Sequence, residues 1–232
     1  MCETVPGLFI TGTDTGVGKT YVAALVAREL AASGRRVGVY KPAASGCSVE
    51  PQADGDDDAA LLWRAAGHPG ALEKVCPQRF AAPLAPHLAA RATGGELDGD
   101  LLRRGIDYWL ARSDVVIVEG AGGLLSPLGD EEYVADLALD FGFPLLVVAR
   151  NSIGVINQTL LTLVAAATFR DGLDVAGVVL NDGPPDRDDA SRSQNLEQLR
   201  RRCVPPVLGH VGWNAKKIDP PVDWHSLVAA GM

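Results

Sequence analysis

Leu8-Phe9-Ile10-Thr11-Gly12-Thr13-Asp14-Thr15-Gly16-Val17-Gly18-Lys19-Thr20 is the stretch that decides the fold. A short apolar strand runs into a Gly-rich turn ending in Gly-Lys-Thr, and an amphipathic helix follows from Tyr21 to about Ala32. This is the layout of a phosphate-binding loop. Glycines such as Gly16 and Gly18 let the backbone wrap an anion without Cβ clashes. Free N–H groups at the helix start, in the Gly16-Val17-Gly18 turn, point at the phosphate, and the helix dipole favours negative charge there. Lys19 adds a mobile positive charge, and the Thr20 hydroxyl suits a magnesium ion. The expectation is a protein that handles a nucleoside triphosphate. The generic pattern is G-x-x-x-x-G-K-[ST]. Here five residues separate Gly12 from Gly18, and Thr13 stands where the first glycine is expected.

The bulk composition narrows the class. A chain of 232 residues can bury a sizeable core as one domain or at most two. With 47% hydrophobic and 22% charged residues it has the make-up of a soluble globular protein. The net charge of −8 argues against a nucleic-acid partner, which wants a basic face. It does not argue against a triphosphate, because a local nest of N–H groups and one or two lysines holds phosphate on an acidic protein. Cys2, Cys47, Cys76 and Cys203 form no Cys-x-x-Cys pair, so they are expected to be reduced thiols in a cytoplasmic protein. Met1-Cys2-Glu3-Thr4 carries no basic region and no long apolar stretch, which predicts no signal peptide. The longest apolar segment, Val155 to Phe169, contains Asn157 and Gln158, and is expected to be a buried helix rather than a membrane span.

Working outward from the loop, strand-length apolar runs alternate with helical patterns. Strands are expected at Leu8–Thr11, Val37–Tyr40, Val115–Val118, Leu145–Ala149, Val175–Leu180 and Val207–Val211. They are rich in Val, Ile and Leu without polar alternation, as strands covered on both faces should be. Helices are expected at Lys19–Ala32, Asp58–Ala66, about Leu101–Ala111, Val134–Phe141, Val155–Phe169 and Ser191–Arg202. The alternation predicts an α/β fold: one domain over 1–232, a mostly parallel sheet and helices on both faces. Ser48–Asp58 and Asp182-Gly183-Pro184-Pro185-Asp186 are expected loops, and the Pro-rich tail after Trp213 has too little periodicity to assign. Ligands in such folds bind beyond the carboxyl ends of the strands, so residues there should cluster.

In Tyr40-Lys41-Pro42-Ala43-Ala44-Ser45-Gly46, Lys41 sits at a strand exit beside the loop if the sheet is parallel. Pro42 keeps it out of a helix. A second lysine there would neutralise charge on a transferring phosphoryl group; the alternative is a surface lysine on a turn. Val118-Glu119-Gly120-Ala121-Gly122-Gly123 puts a carboxylate at the tip of an apolar strand, where a magnesium-binding acid belongs, with glycines that let backbone approach a ligand. The acids of Asp54-Gly55-Asp56-Asp57-Asp58 supply an N-cap by default, and a metal role for one of them stays open. Asn181-Asp182 ends a strand; Asn suits the edge of a purine, and an ordinary turn is the alternative. The helix start at Gly154-Val155-Ile156-Asn157 is another possible anion site. His87 stands alone between a Pro-rich turn and a helix and is not expected to be a base.

Together these segments resemble the dethiobiotin synthetase family of P-loop ATP-dependent ligases. The resemblance rests on Gly12–Thr20, Tyr40–Gly46, Phe80-Ala81-Ala82-Pro83-Leu84-Ala85-Pro86-His87, Val118–Gly123 and Leu180-Asn181-Asp182. It spans about residues 8 to 213 in order, and the wide glycine spacing of the loop is that family's own. It implies closure of the ureido ring of dethiobiotin from 7,8-diaminononanoate and carbon dioxide. A carbamate would attack the γ-phosphate of ATP, and the second amine would expel phosphate from the resulting anhydride. By the same resemblance Lys19, Lys41 and Thr15 serve the reaction, while Thr20, Asp58 and Glu119 hold Mg2+. Thr15 and Ser45 meet the carbamate end. Gly16, Val17, Gly18, Tyr21, Gly120, Ala121, Gly122, Asn181, Asp182, Gly212 and Trp213 surround the nucleotide. The substrate carboxylate rests on Gly154, Val155, Ile156 and Asn157 of a second subunit, which implies a homodimer. This chain has Gly16 where many members have Glu, and Gly212-Trp213-Asn214 where they often have Pro-x-Leu.

Two other functions are weighed against that one. Partitioning-type ATPases of the same superfamily carry a second lysine five residues before the invariant one, where this chain has Asp14. Neither a basic face nor an amphipathic C-terminal anchor is seen. A non-catalytic nucleotide-binding domain would give Lys41, Glu119 and Asp58 no reason to converge.

Overall fold

The computed structural model describes residues 5–186 and 188–229. Cys2 and the first four residues, on which part of the thiol and leader expectations rests, lie outside them. The Gly-rich stretch forms β1 (Gly7–Gly12), and α1 (Lys19–Ala32) follows it. Every residue of β1 is buried, which is what an unbroken apolar run in a doubly covered strand requires. Next come β2 (Val37–Tyr40), β3 (Ala43–Ser45) and α2 (Asp58–Ala65), then a short 3-10 turn at Leu72–Lys74, β4 (Gln78–Phe80) and α3 (Pro86–Ala92). The middle of the chain gives α4 (Gly99–Arg104), α5 (Asp107–Leu110), β5 (Val115–Glu119), α6 (Val134–Phe141) and β6 (Leu145–Arg150). The last part gives α7 (Val155–Thr168), β7 (Val175–Asn181), α8 (Arg192–Arg202), β8 (Val207–Val211) and α9 (Trp224–Ala229).

Six strands pair in parallel in the order β2-β5-β1-β6-β7-β8. β3 and β4 form a separate parallel pair over the second strand's exit. α1 packs on β1, β2 and β5, with α2 and α9 against it, while α7 and α8 pack together against β6 and β8. Connections after β5, β6 and β7 step across the sheet in the direction opposite to that after β1. Right-handed crossovers therefore place their helices on the other face from α1. The core is the sandwich between, built on Leu8, Phe9, Ile10, Ile117, Leu145, Leu146 and Leu180.

Three expectations need correction. The helix expected at Leu101–Ala111 is two helices, α4 and α5, because the chain breaks at Gly105. An added Cβ at Gly105 would stand 2.2 Å from the Tyr40 hydroxyl, which donates to the Leu102 carbonyl at 2.9 Å and takes up a helix acceptor. The strands run further than expected, so Glu119 and Asn181 are the last residues of β5 and β7 rather than the first residues beyond them. The helix expected to be buried at Val155–Phe169 has one side in solvent, with Leu161 60% and Val164 59% exposed, because it covers the sheet with its other side alone. β5 stands between β2 and β1, so Lys41 must reach across the end of β5 to meet the loop.

Candidate active site

The Gly12–Thr20 turn is shaped by its glycines where the geometry demands them. Gly18 is the N-cap of α1 at φ 93°, and an added Cβ there would lie 2.1 Å from the Asn181 Nδ2. Only a residue without a side chain satisfies both conditions. Asp14 accepts the Thr15 N–H at 2.7 Å, and Thr13 N–H donates to the Val148 carbonyl at 3.0 Å, pinning the turn to β6. Among the described residues α1 has no side-chain cap and no acid in its first turn. Its leading N–H groups are left facing outward with the positive end of the dipole, which suits an anion.

Lys41 leaves β2 and turns inward, 5% exposed. Its ammonium donates to Glu119 Oε1 at 2.7 Å and to Asp58 Oδ2. Glu119, 1% exposed, also accepts the Thr20 hydroxyl on Oε1 at 2.8 Å. Its Oε2 is buried with no protein partner among the described residues. Lys19, also buried, donates to the Asp14 carbonyl of its own loop at 3.2 Å. Burial works to lower the Lys41 pKa, but the Glu119 and Asp58 carboxylates outweigh it and hold the ammonium above the ordinary lysine value. Lys19 is held below that value by burial, with the nearby Lys41 charge pushing the same way against Glu119. Burial raises Glu119, with Lys41 opposing. For Asp58 burial is outweighed by its bond to Lys41, and its carboxyl lies below the ordinary range.

Two cavities open at this end of the sheet. One, of about 410 Å³, is lined by Thr15, Gly16, Lys19, Thr20, Lys41, Ser45, Asp58, Glu119, Ala121 and Gly122. The other, of about 240 Å³, is lined by Val17, Gly18, Asn181, Asp182 and Trp213, and Tyr21 borders both. The Asn181 amide donates to the Val17 carbonyl at 2.9 Å, and the Tyr21 hydroxyl to the Ala215 carbonyl at 2.6 Å, so loop, β7 and tail enclose the second cavity. Gly120 is packed instead against Val134 and Phe9, and Gly212 lies just outside the second cavity. His87 lines neither; its Nδ1 lies 3.2 Å from the Pro127 carbonyl. Gly154, Val155, Ile156 and Asn157 open α7, with Gly154 at φ 90° and no side-chain cap or first-turn acid among the described residues. They line neither cavity of their own chain.

Arg150, which the sequence did not single out, also lines the smaller cavity, as does Asn214 of the Gly212-Trp213-Asn214 stretch. Arg150 ends β6, so the rule that picks out strand exits reaches it, but nothing local distinguishes it from a solvated arginine. Among the described residues no three His, Cys, Asp or Glu stand together as a metal cage.

A parallel sheet with a Gly-Lys-Thr loop opening α1, a buried lysine and an acid at the exits of neighbouring strands, and a second acid at the start of α2, defines a P-loop nucleotide-dependent protein. A family model described as an AAA domain matches residues 6–221. By relatedness of sequence the particular family follows: the chain belongs to the dethiobiotin synthetases. It is 44% identical to the ATP-dependent dethiobiotin synthetase BioD of Rhodopirellula baltica, over 88% of this chain and 82% of that protein. The enzyme of the same name from Anaeromyxobacter dehalogenans is 47% identical over 89% and 90%. That of Bacillus subtilis is 36% identical over 88% and 85%. The fold is also that of the signal recognition particle receptor FtsY of Elizabethkingia anophelis. There the TM-score is 0.57 at 16% identity, over 99% of this chain and 66% of that one.

Proposed function

We propose that this chain is an ATP- and Mg2+-dependent dethiobiotin synthetase that works as one domain. The observation that carries the reading is the Lys41 ammonium, buried between Glu119 and Asp58 in the same cavity as Lys19 and Thr20. One amine of 7,8-diaminononanoate adds to carbon dioxide and sheds a proton, giving a carbamate. A carbamate oxygen attacks the γ-phosphorus of ATP, the bond to ADP breaks, and a carbamic–phosphoric anhydride results. The second amine attacks the carbonyl carbon, loses its proton and expels phosphate, which closes the ring.

Lys19 and Lys41 offset the charge that builds on the γ-phosphoryl group and the carbamate. An ammonium held above its ordinary value keeps its proton at neutral pH, so Lys41 acts by charge and not by proton transfer. Thr15 and Ser45, in the same cavity, meet the carbamate end. Asn181, Asp182, Tyr21 and Trp213 receive the base with Gly212 beside them, while Gly16, Val17, Gly18, Ala121 and Gly122 flank the phosphates and Gly120 anchors its turn to the core.

The donor set fits Mg2+, which takes hard oxygen ligands from one or two carboxylates and completes its shell with phosphate and water. Thr20, Glu119 and Asp58 supply such oxygens, and the unpartnered Glu119 Oε2 is a buried acceptor awaiting a cation. The metal would neutralise charge shared between the β- and γ-phosphates.

A homodimer, with the substrate carboxylate on Gly154–Asn157 of the second subunit, is supported by α7. Its outer face carries Asn157, Leu161 and Val164 at helical spacing, with Leu161 60% and Val164 59% exposed. The net charge of −8 speaks against a nucleic-acid partner. No helix of the described residues is long and apolar enough to cross a membrane. The test is ADP release with ATP, Mg2+, bicarbonate and 7,8-diaminononanoate, omitting each in turn. Release that needs all four supports the assignment; release that ignores the diamine overturns it.

A further inference from the structure

The smaller cavity contains a cation that the proposed reaction leaves unused. Arg150 ends β6 at the mouth of this cavity, and its guanidinium makes no hydrogen bond or ion pair among the described residues. It rests edge-on against the loop after β7. A Cβ added to Gly183 would meet Arg150 Nη2 at 2.7 Å, Nε at 2.9 Å and Cζ at 3.0 Å. The two nitrogens stand nearer than Cζ, so it is the Nε–Nη2 edge of the guanidinium that abuts Gly183, and Gly183 covers neither of its faces. Trp213, 49% exposed, lines the same space. At about 240 Å³ the space suits one nucleobase and not a triphosphate, which belongs in the larger cavity around Lys19.

We propose that Arg150, its edge held against Gly183, is a nucleobase-binding residue that holds the base of the nucleotide on a face of its guanidinium. This rests on the assignment of the smaller cavity to the base. A planar, weakly hydrated cation stacks on an aromatic ring and gains from its π-face, whichever hydrogen-bonding edge the ring carries. Lysine, a strongly hydrated point charge, does not reproduce that contact. Gly183 is part of the device, because any side chain there lifts the guanidinium from its seat. The chain thus grips the base mainly through flat surfaces at the position where it reads Gly212-Trp213-Asn214.

Calorimetric titration of ATP and of inorganic tripolyphosphate, each with Mg2+, tests this on the wild type, Arg150→Ala, Arg150→Lys and Gly183→Ala. The expected result is an ATP affinity about tenfold weaker in Arg150→Ala, with tripolyphosphate unchanged. Arg150→Lys stays near the Ala value. Gly183→Ala weakens ATP in the same direction and adds nothing further in the Arg150→Ala background, as two residues acting through one contact require. Unchanged ATP affinity in Arg150→Ala, equal loss for tripolyphosphate, or full rescue by lysine overturns the proposal. A wild type that binds tripolyphosphate as tightly as ATP overturns the base-pocket assignment beneath it, a failure distinct from that of Arg150 alone.

Discussion

Lys41 keeps a full positive charge where almost no water reaches it, and two carboxylates make that possible. Burying an unpaired ammonium is costly, so the lysine and its acids stabilise one another only as a set. Lys41→Ala is expected to cut turnover at least about a hundredfold, because the lost charge acts on the phosphoryl group in transit. The same change takes from buried Glu119 the cation bonded to it, so the melting temperature should fall, by an amount matching about 3 kcal/mol or more. Near-normal turnover by the variant would remove Lys41 from the mechanism. Glu119→Gln keeps the shape and the Thr20 contact but not the charge. The Mg2+ concentration for half-maximal turnover should rise several-fold, and unchanged magnesium titration curves would deny Glu119 its metal role. The types and places of these residues are legible in the sequence: Lys-Pro after one apolar run, Glu-Gly after another. Their pairing is not, since Lys41 meets acids 17 and 78 residues further along the chain.

The long elements follow from local pattern, and the short ones do not. β3 and β4 hold three residues each, too few for any periodicity, and they exist only because Ala43–Ser45 finds Gln78–Phe80 as a partner. The break between α4 and α5 is hidden as well. The apolar spacing of Leu101, Leu102, Ile106, Trp109 and Leu110 continues a helical stripe through Gly105, and only the Tyr40 hydroxyl packed on that glycine interrupts it. Gly105→Ala, a favourable change in an ordinary helix, is therefore expected to destabilise by about 1–3 kcal/mol through the displaced Tyr40. Thermal unfolding measures it, and a stabilised variant would show that the break has another cause. The ends of β5 and β7 lie one residue beyond the apolar runs because Glu119 and Asn181 still pair in the sheet, a polar tip that hydropathy reads as loop.

At the scale of the molecule the parallel α/β sheet is implied by strand–helix alternation, whereas the strand order is a matter of crossovers that no local pattern states. That order places β5 beside β1 and brings Glu119 next to Thr20, so the site depends on it. In the proposed homodimer the exposed apolar face of α7 is covered by a second copy, and the start of that copy's α7 meets this chain's cavity. Sedimentation should show a dimer of the 24.3 kDa chain. Leu161→Glu with Val164→Glu should sediment as a monomer and raise the KM for the diamine far more than that for ATP. A wild type at monomer mass, or a variant that stays dimeric, would contradict this arrangement.

The central claim is that a carbamate oxygen, and not water, receives the γ-phosphoryl group. The direct measurement is the isotopic content of the phosphate released when the reaction starts from oxygen-18-labelled carbon dioxide in unlabelled water, read before exchange is complete. The account predicts one labelled oxygen in each phosphate, formed in step with dethiobiotin. Unlabelled phosphate, with three oxygens from ATP and one from water, would mean that the two lysines serve hydrolysis instead.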